Sequence, residues 1–283
     1  KKKKIICFYE IPLNYWRQKK YILNREYKNK KNIKYKKYFK YDDSSLFNKR
    51  IDKEIKLADC IIVSSLEIKK SLRYYPTKLK NINIINYPFN KPIKANKKKW
   101  FDGKRKLKVL YVGRLDPRKG LTHILDSVSN LKKNKLLEKF EFSFIGDGKL
   151  SNLIKKKFSE VNLLNSLSNK QVLERMHLSD VLLFPSLFEG YGLSAAEAMS
   201  QGMTVISSKN CGFLNACSLK DVILLAKPSG TEISKLLLKL YNNPRLLKKI
   251  ANEAILTAKK NQIFHYKKKI TKILRAKTFE QFN

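Results

Sequence analysis

The chain has 283 residues and is strongly basic, with 62 Lys and Arg against 23 Asp and Glu for a formal charge of +39. At that length it can bury a substantial core and form two domains, or one domain and a large part of another, and no stretch approaches the ~18 consecutive apolar residues of a membrane span. Such a charge ordinarily points to nucleic acid or an anionic membrane, but only ten of the 62 basic residues are Arg, and the excess Lys travels with many Asn and Ile, a trio with A/T-rich codons.

The pattern opens on an apolar strand at 4–9. Lys1–Lys4 and the apolar residues after them imitate a secretory leader, until Glu10, Pro12 and Asn14 break it. The run at 27–41 interleaves Tyr27, Tyr35, Tyr38, Phe39 and Tyr41 with lysines. It reads as a solvated loop, or as a surface for anionic lipid headgroups or for phosphates and stacked bases. Further strands follow at 60–64 and 82–86, which with the first are too few for a full doubly wound sheet. Residues 91–106 combine Pro92, Gly103 and a cluster of basic residues as an interdomain linker anchored by Trp100 and Phe101.

From Leu107 the pattern alternates. Strands are predicted at 107–112, 140–145, 161–164, 180–184, 203–207 and 222–226, with helices at 119–132, 148–157, 168–178 and 193–201 between them. Helices alone follow, at 231–242, 244–259 and 262–275. Short apolar strands alternating with amphipathic helices make an α/β parallel sheet covered on both faces, with ligands at the carboxyl ends of the strands. Cys7 and Cys60 fall in strands as buried thiols, and Cys211 and Cys217 form a C-x5-C pair with no histidine nearby, so no metal pattern emerges and a reducing cytoplasm fits. His123, His177 and His265 read as structural.

Two segments carry the chemistry. In the first, LKVLYVGRLDPRKG at 107–120, a strand runs into Gly113 and then places Arg114 and Lys119 on a loop entering a helix. Two cations beside a helix start suit a diphosphate. In the second, 184–208, Glu189 and Glu197 lie on either side of a turn containing Gly190, Tyr191 and Gly192, with a helix from Leu193. Glu197 sits among Ala195, Ala196, Ala198 and Met199, where a carboxylate is costly to bury without a donor such as a sugar hydroxyl. The free N–H groups near Gly192 and Leu193 suit a phosphate. The plainer alternative is a tight turn followed by a surface helix.

Together these segments resemble the retaining GT-B glycosyltransferases, specifically the large family 4 with its Glu-x7-Glu motif. FSFIGDG at 142–148 resembles the family's glycine turn near the base, and 58–72 and 82–90 resemble the last elements before the interdomain crossing. The chain departs from the family at Asn165, where glycine is usual and where Asn tolerates a left-handed backbone, and at 211–230, where no Asp-Gly-x-x-Gly segment is recognisable.

The resemblance implies two Rossmann-like doubly wound domains, the amino-terminal one incomplete. The expected division is a partial acceptor-side domain at 1–95, a nucleotide-sugar domain at 96–260 and a helix at 261–283 packing back on the first. The opening on Lys1 and the lack of the family's early glycine-rich loop imply that the start of a longer enzyme is missing. The nearest feature to the family's amino-terminal histidine is Tyr9 with Glu10. By the resemblance, Arg114 and Lys119 hold the diphosphate, Glu197 the ribose and Glu189 the transferred sugar. Gly113 and the Gly190–Leu193 backbone complete the donor site.

The expected activity is transfer of a sugar, with retention, from a nucleoside diphosphate sugar to a glycan, lipid or other acceptor. The expected setting is cytoplasmic, or peripheral at the inner face of the cell membrane. With no Asp-x-Asp pair, neither metal nor other cofactor is expected. The alternatives are an inactive or truncated relative, and a basic α/β protein for nucleic acid, the less favoured partner because it leaves the two glutamates unexplained.

Overall fold

A computed structural model describes residues 6–9, 53–72, 81–89 and 98–279. Glu10, the run at 27–41, the linker residues 91–97 and the side chain of Tyr9 lie outside the described residues.

The smaller of two parallel sheets has the order β1-β2-β3, with β1 Ile6–Tyr9, β2 Cys60–Val63 and β3 Ile82–Ile84. The run CIIV lacks polar alternation because β2 is covered on both faces. Ile61 and Val63 pack with Ile55, Ile68 and Leu72, the last two on or beside helix α1 (Leu66–Ser71). Cys60 and Ile62 pack with Ile85 and with three residues from the other end of the chain, Tyr266, Ile270 and Ile273.

The larger sheet contains β4 (Leu107–Val112), β5 (Phe140–Ile145), β6 (Val161–Leu164), β7 (Val181–Phe184), β8 (Thr204–Ser207) and β9 (Ile223–Leu224). Its order is β6-β5-β4-β7-β8-β9 and every pairing is parallel. Numbered from β4, that is the doubly wound order 3-2-1-4-5-6. The order of the strands reverses between β4 and β7, the point at whose carboxyl ends doubly wound sheets bind their ligands in a crevice.

One face carries α2 (Leu121–Lys133), α3 (Ser151–Lys157) and α6 (Gly230–Tyr241). Helices α2 and α6 meet at small residues: Ser127 and Ser234 share a hydrogen bond of 3.1 Å, and a Cβ on Gly230 would stand 2.6 Å from Asp126. The other face carries α4 (Asn169–Leu178), the alanine-rich α5 (Leu193–Ser200) and α7 (Pro244–Lys260). The last helix, α8 (Ile263–Phe279), supplies the three residues that cover the small sheet.

The described end of the linker is pinned by more than its aromatic residues. Phe101 is buried in the core, and Trp100 is half-buried. Arg105 makes a bidentate pair with buried Asp180, at 2.6 and 2.8 Å. Lys98 donates to the carbonyls of His177, Ser179 and Gln201 at 3.0, 2.7 and 3.2 Å, so one ammonium ties the carboxyl ends of α4 and α5 together. Burial pushes the Lys98 ammonium down from 10.5 to about 8, with Asp180 opposing and Arg105 adding to the shift.

Two sequence expectations need correction. Asn165 does not adopt the left-handed conformation, which among described non-glycine residues occurs only at Asn81 and Lys135; the turn after β6 closes without it. The strand expected at 222–226 is confined to Ile223–Leu224, and the chain ahead of it forms a 3-10 turn, Gly212–Ala216.

Candidate donor site

The loop after β4 is built by short-range polar contacts. The Gly113 N–H donates to the Ile145 carbonyl at 3.0 Å, and Leu115 to Asp147 at 2.9 Å, laying the loop across the end of β5. A Cβ on Gly146 would be 2.2 Å from the Gly113 oxygen, so the two glycine turns touch backbone to backbone. Buried Tyr111 donates its hydroxyl to the Arg114 carbonyl at 2.6 Å. Asp116 caps the 3-10 turn Pro117–Lys119 by accepting the Arg118 N–H at 2.8 Å, and Pro117 supplies the first-turn geometry.

This loop then grips the one after β7. Gly120, at φ 72°, lies so close to Pro185 that a Cβ would fall 1.9 Å from its carbonyl oxygen. The Arg118 carbonyl accepts from Leu187 N–H at 2.9 Å, and the Arg118 guanidinium donates to the Phe188 carbonyl at 3.2 Å. The Lys119 ammonium is hydrogen-bonded to the Glu189 carboxylate, and each side chain is 16 % exposed. Arg114 stays exposed at the rim, and its guanidinium pairs with none of these groups.

The segment from Glu189 to Gly192 is held by its carbonyls. Gly212 N–H donates to Glu189 at 3.3 Å, the Ser65 hydroxyl to Gly190 at 2.6 Å, and Phe213 N–H to Tyr191 at 2.7 Å. Gly192 has φ 101°, and a Cβ there would press on the rings of Phe184 and Phe213 at 3.0 and 3.2 Å. The amide N–H groups of residues 190–194 donate to no described residue, and α5 starts without a side-chain cap. A row of unclaimed amides at a helix start is an anion site in waiting. Glu197, half-buried one turn into α5, meets the Asn169 side-chain amide at 3.4 Å.

Of the residues singled out in the sequence, Lys119 and Glu189 are in contact, and Gly190, Tyr191, Gly192 and Leu193 form one continuous backbone surface beside them. Arg114 and Glu197 stand at the edges. Four residues went unnoticed: Arg118, Asn169, Asn210, which accepts the Glu189 N–H through its carbonyl at 3.0 Å, and Ser65. Only Arg118 left a trace, since the Asp-Pro-Arg-Lys-Gly string is a capped turn with two adjacent cations. The two nearby cysteines are poor nucleophiles, because burial pushes both the Cys211 and Cys217 thiols up to about 12.

Solved structures share this architecture. Anabaena HepE in complex with UDP superposes with a TM-score of 0.67 at 16% identity, over 82% of this chain and 68% of that one. WaaG, a glycosyltransferase involved in lipopolysaccharide biosynthesis, gives a TM-score of 0.69 at 17% identity over 95% and 74%. The fold is therefore the Rossmann-like GT-B fold. Residues 92–257 match the glycosyl transferases group 1, and the chain belongs to that family.

Among curated relatives, an uncharacterized glycosyltransferase of Methanocaldococcus jannaschii is 29% identical over 227 residues, 77% of this chain and 56% of the relative. An Escherichia coli enzyme described as UDP-Gal:alpha-D-GlcNAc-diphosphoundecaprenol alpha-1,3-galactosyltransferase is 32% identical over 115 residues, 39% of this chain and 29% of that one. The chain thus spans little more than half the length of the first relative and less than a third of the second.

Proposed function

We propose that the chain carries the donor site of a retaining glycosyltransferase, which moves a sugar from a nucleoside diphosphate sugar to a glycan, lipid or other acceptor. The observation that carries this reading is the pairing of Lys119 with Glu189 beside the unclaimed amides at the start of α5, in the crevice between β4 and β7. Family membership and the GT-B fold support the reaction class.

In this reading the diphosphate lies between Lys119 and the N–H groups of Gly190–Leu193, with Arg114 closing on it from the rim. Gly113 keeps the opposite wall low. Glu197 accepts from the ribose and Glu189 from hydroxyls of the transferred sugar. As the anomeric bond stretches, negative charge grows on the departing phosphate. A fixed ammonium and fixed amide dipoles stabilise that charge without reorganising, which is the largest kind of catalytic contribution in many enzymes. The departing phosphate then helps to deprotonate the acceptor on the same face of the sugar, giving retention without a protein nucleophile. No metal is required, since Lys119, Arg114 and the amides supply the positive charge.

Residues 96–260 would form the donor domain, 1–95 the acceptor side, and 261–283 the returning helix. The undecaprenol-linked substrate named for the Escherichia coli relative makes a lipid-linked acceptor at the inner membrane face a reasonable first trial. Among the described residues no helix is long and apolar enough to cross a membrane.

A thermal-shift screen against UDP, GDP and ADP sugars tests the reading, because a ligand bound only by the folded chain raises its melting temperature. One nucleotide series is expected to stabilise the chain, with the anomeric configuration of the product then read by NMR. No shift with any of the three would remove the donor assignment.

A further inference from the structure

Ser65 follows β2 of the small sheet, and its hydroxyl makes two bonds at once. It accepts the Ile68 N–H at 3.2 Å, capping α1, and donates its single proton to the Gly190 carbonyl at 2.6 Å, across 125 residues of sequence. Ser65 is fully buried. A second bond runs alongside, from the Leu66 N–H to the Asn215 side-chain oxygen at 2.7 Å. The junction is tight: a Cβ on Gly212 would lie 2.0 Å from the Gly190 oxygen and 2.5 Å from the Ser65 Cβ.

A trans peptide unit is planar, so its C=O and N–H point in opposite directions. Holding the Gly190 carbonyl on Ser65 therefore aims the Tyr191 N–H away from the small sheet. The peptides on either side are held by Gly212 and Phe213, which belong to the large sheet's own connections. The middle peptide alone is held from the small sheet. Left without Ser65, it would be a buried carbonyl lacking its partner, which a rotation of that plane could relieve.

We propose that Ser65 is a positioning residue for the donor turn: it fixes the Gly190–Tyr191 peptide, so that the amides facing the diphosphate are aligned only while the small sheet is docked through α1. The proposal rests on the reading of the Gly190–Leu193 turn as the diphosphate site, and it makes docking of the small sheet a condition of donor affinity.

Calorimetry on the full chain tests it, with whichever of UDP, GDP and ADP binds tightest and with the parent nucleoside. Ser65→Ala and Ser65→Gly both delete the hydroxyl, but Gly is itself an adequate helix cap, so the second variant keeps α1 intact. Both are expected to raise the diphosphate Kd by about tenfold, the worth of one well-aligned hydrogen bond, and to change nucleoside affinity by less than about twofold. Ser229→Ala, which removes the equivalent cap from α6, is expected to lower stability without altering the ratio of the two affinities.

Equal loss of nucleoside and diphosphate binding in both Ser65 variants, or unchanged diphosphate binding in Ser65→Gly, would overturn the proposal. If Lys119→Ala also leaves diphosphate binding unchanged, or if the wild-type chain binds none of the three diphosphates, the site reading itself falls and takes the proposal with it.

Discussion

The Lys119 ammonium is bound to the Glu189 carboxylate although 70 residues separate them in sequence. The pair joins the loop after β4 to the loop after β7, the two loops that flank the reversal point of the sheet. In the proposed reaction each partner has a further task, Lys119 on the diphosphate and Glu189 on the sugar. The pair therefore sets the distance between the group that leaves and the group that is transferred.

The two glutamates should separate by ligand. Glu197→Gln is expected to weaken both the nucleotide sugar and the nucleoside diphosphate, because the ribose is common to both. Glu189→Gln should leave nucleoside diphosphate affinity within about twofold and lower turnover by ~10²-fold or more, as loss of a transition-state contact does. Titration of the diphosphate and steady-state kinetics on both variants decide this. Identical behaviour of the two would end the division of labour.

Gly120→Ala should destabilise the protein by about 3 kcal/mol, combining the cost of a left-handed non-glycine residue with the displacement of backbone around the new methyl. The collision is with the Pro185 carbonyl, 1.9 Å from the added carbon, so the β4 loop must move away from the β7 loop. Denaturant titration measures the stability. A nucleotide affinity that stays at the wild-type value in the folded variant would show that the junction does not position Lys119.

Lys98 predicts a pH signature. Its ammonium falls from 10.5 to about 8 on folding, so the unfolded chain binds the extra proton between those values and stability rises with pH across that window. Below pH 8 both states are charged and the cost of burial is constant. Relative to Lys98→Met, the wild type should gain up to roughly 3 kcal/mol between pH 8 and 10.5. Parallel stability curves for the two proteins would contradict the assignment of that shift to Lys98.

Most of the fold was legible because its strands are short, uninterrupted apolar runs. The predicted β4, β5 and β6 coincide with the observed ones at both ends and β7 at its carboxyl end, and Gly113, Gly146 and Pro185 mark where β4, β5 and β7 stop and turns begin. The Glu189 to Leu193 turn could be read for the same reason: two glycines, Gly190 and Gly192, follow a carboxylate ahead of a helical pattern. Contacts made by ordinary residues across long separations could not. In the sequence Ser65 is one of two serines after a strand, Asn169 one polar residue among several, and Lys98 one lysine among many. Their roles depend on which carbonyl or carboxylate the folded chain brings to them, and no local pattern records that.

Chelation offers a simple check on the charge account. If Lys119, Arg114 and the amides of 190–194 supply all the positive charge, a metal chelator should leave donor binding and turnover unchanged. Activity lost to EDTA and restored by a divalent cation would require a metal on the diphosphate instead.

The most direct measurement of the central claim is calorimetric titration of the wild type, Arg114→Ala and Lys119→Ala with a nucleoside diphosphate and with its bare nucleoside. Each substitution removes a charge-assisted contact worth about 1.5–3 kcal/mol, so diphosphate affinity should fall by roughly 10- to 100-fold while nucleoside affinity stays within about twofold. The larger loss is expected at Lys119, which is already fixed beside the amides. Equal losses for nucleoside and diphosphate, or none for either, would contradict the assignment of this crevice as the site that holds the leaving diphosphate.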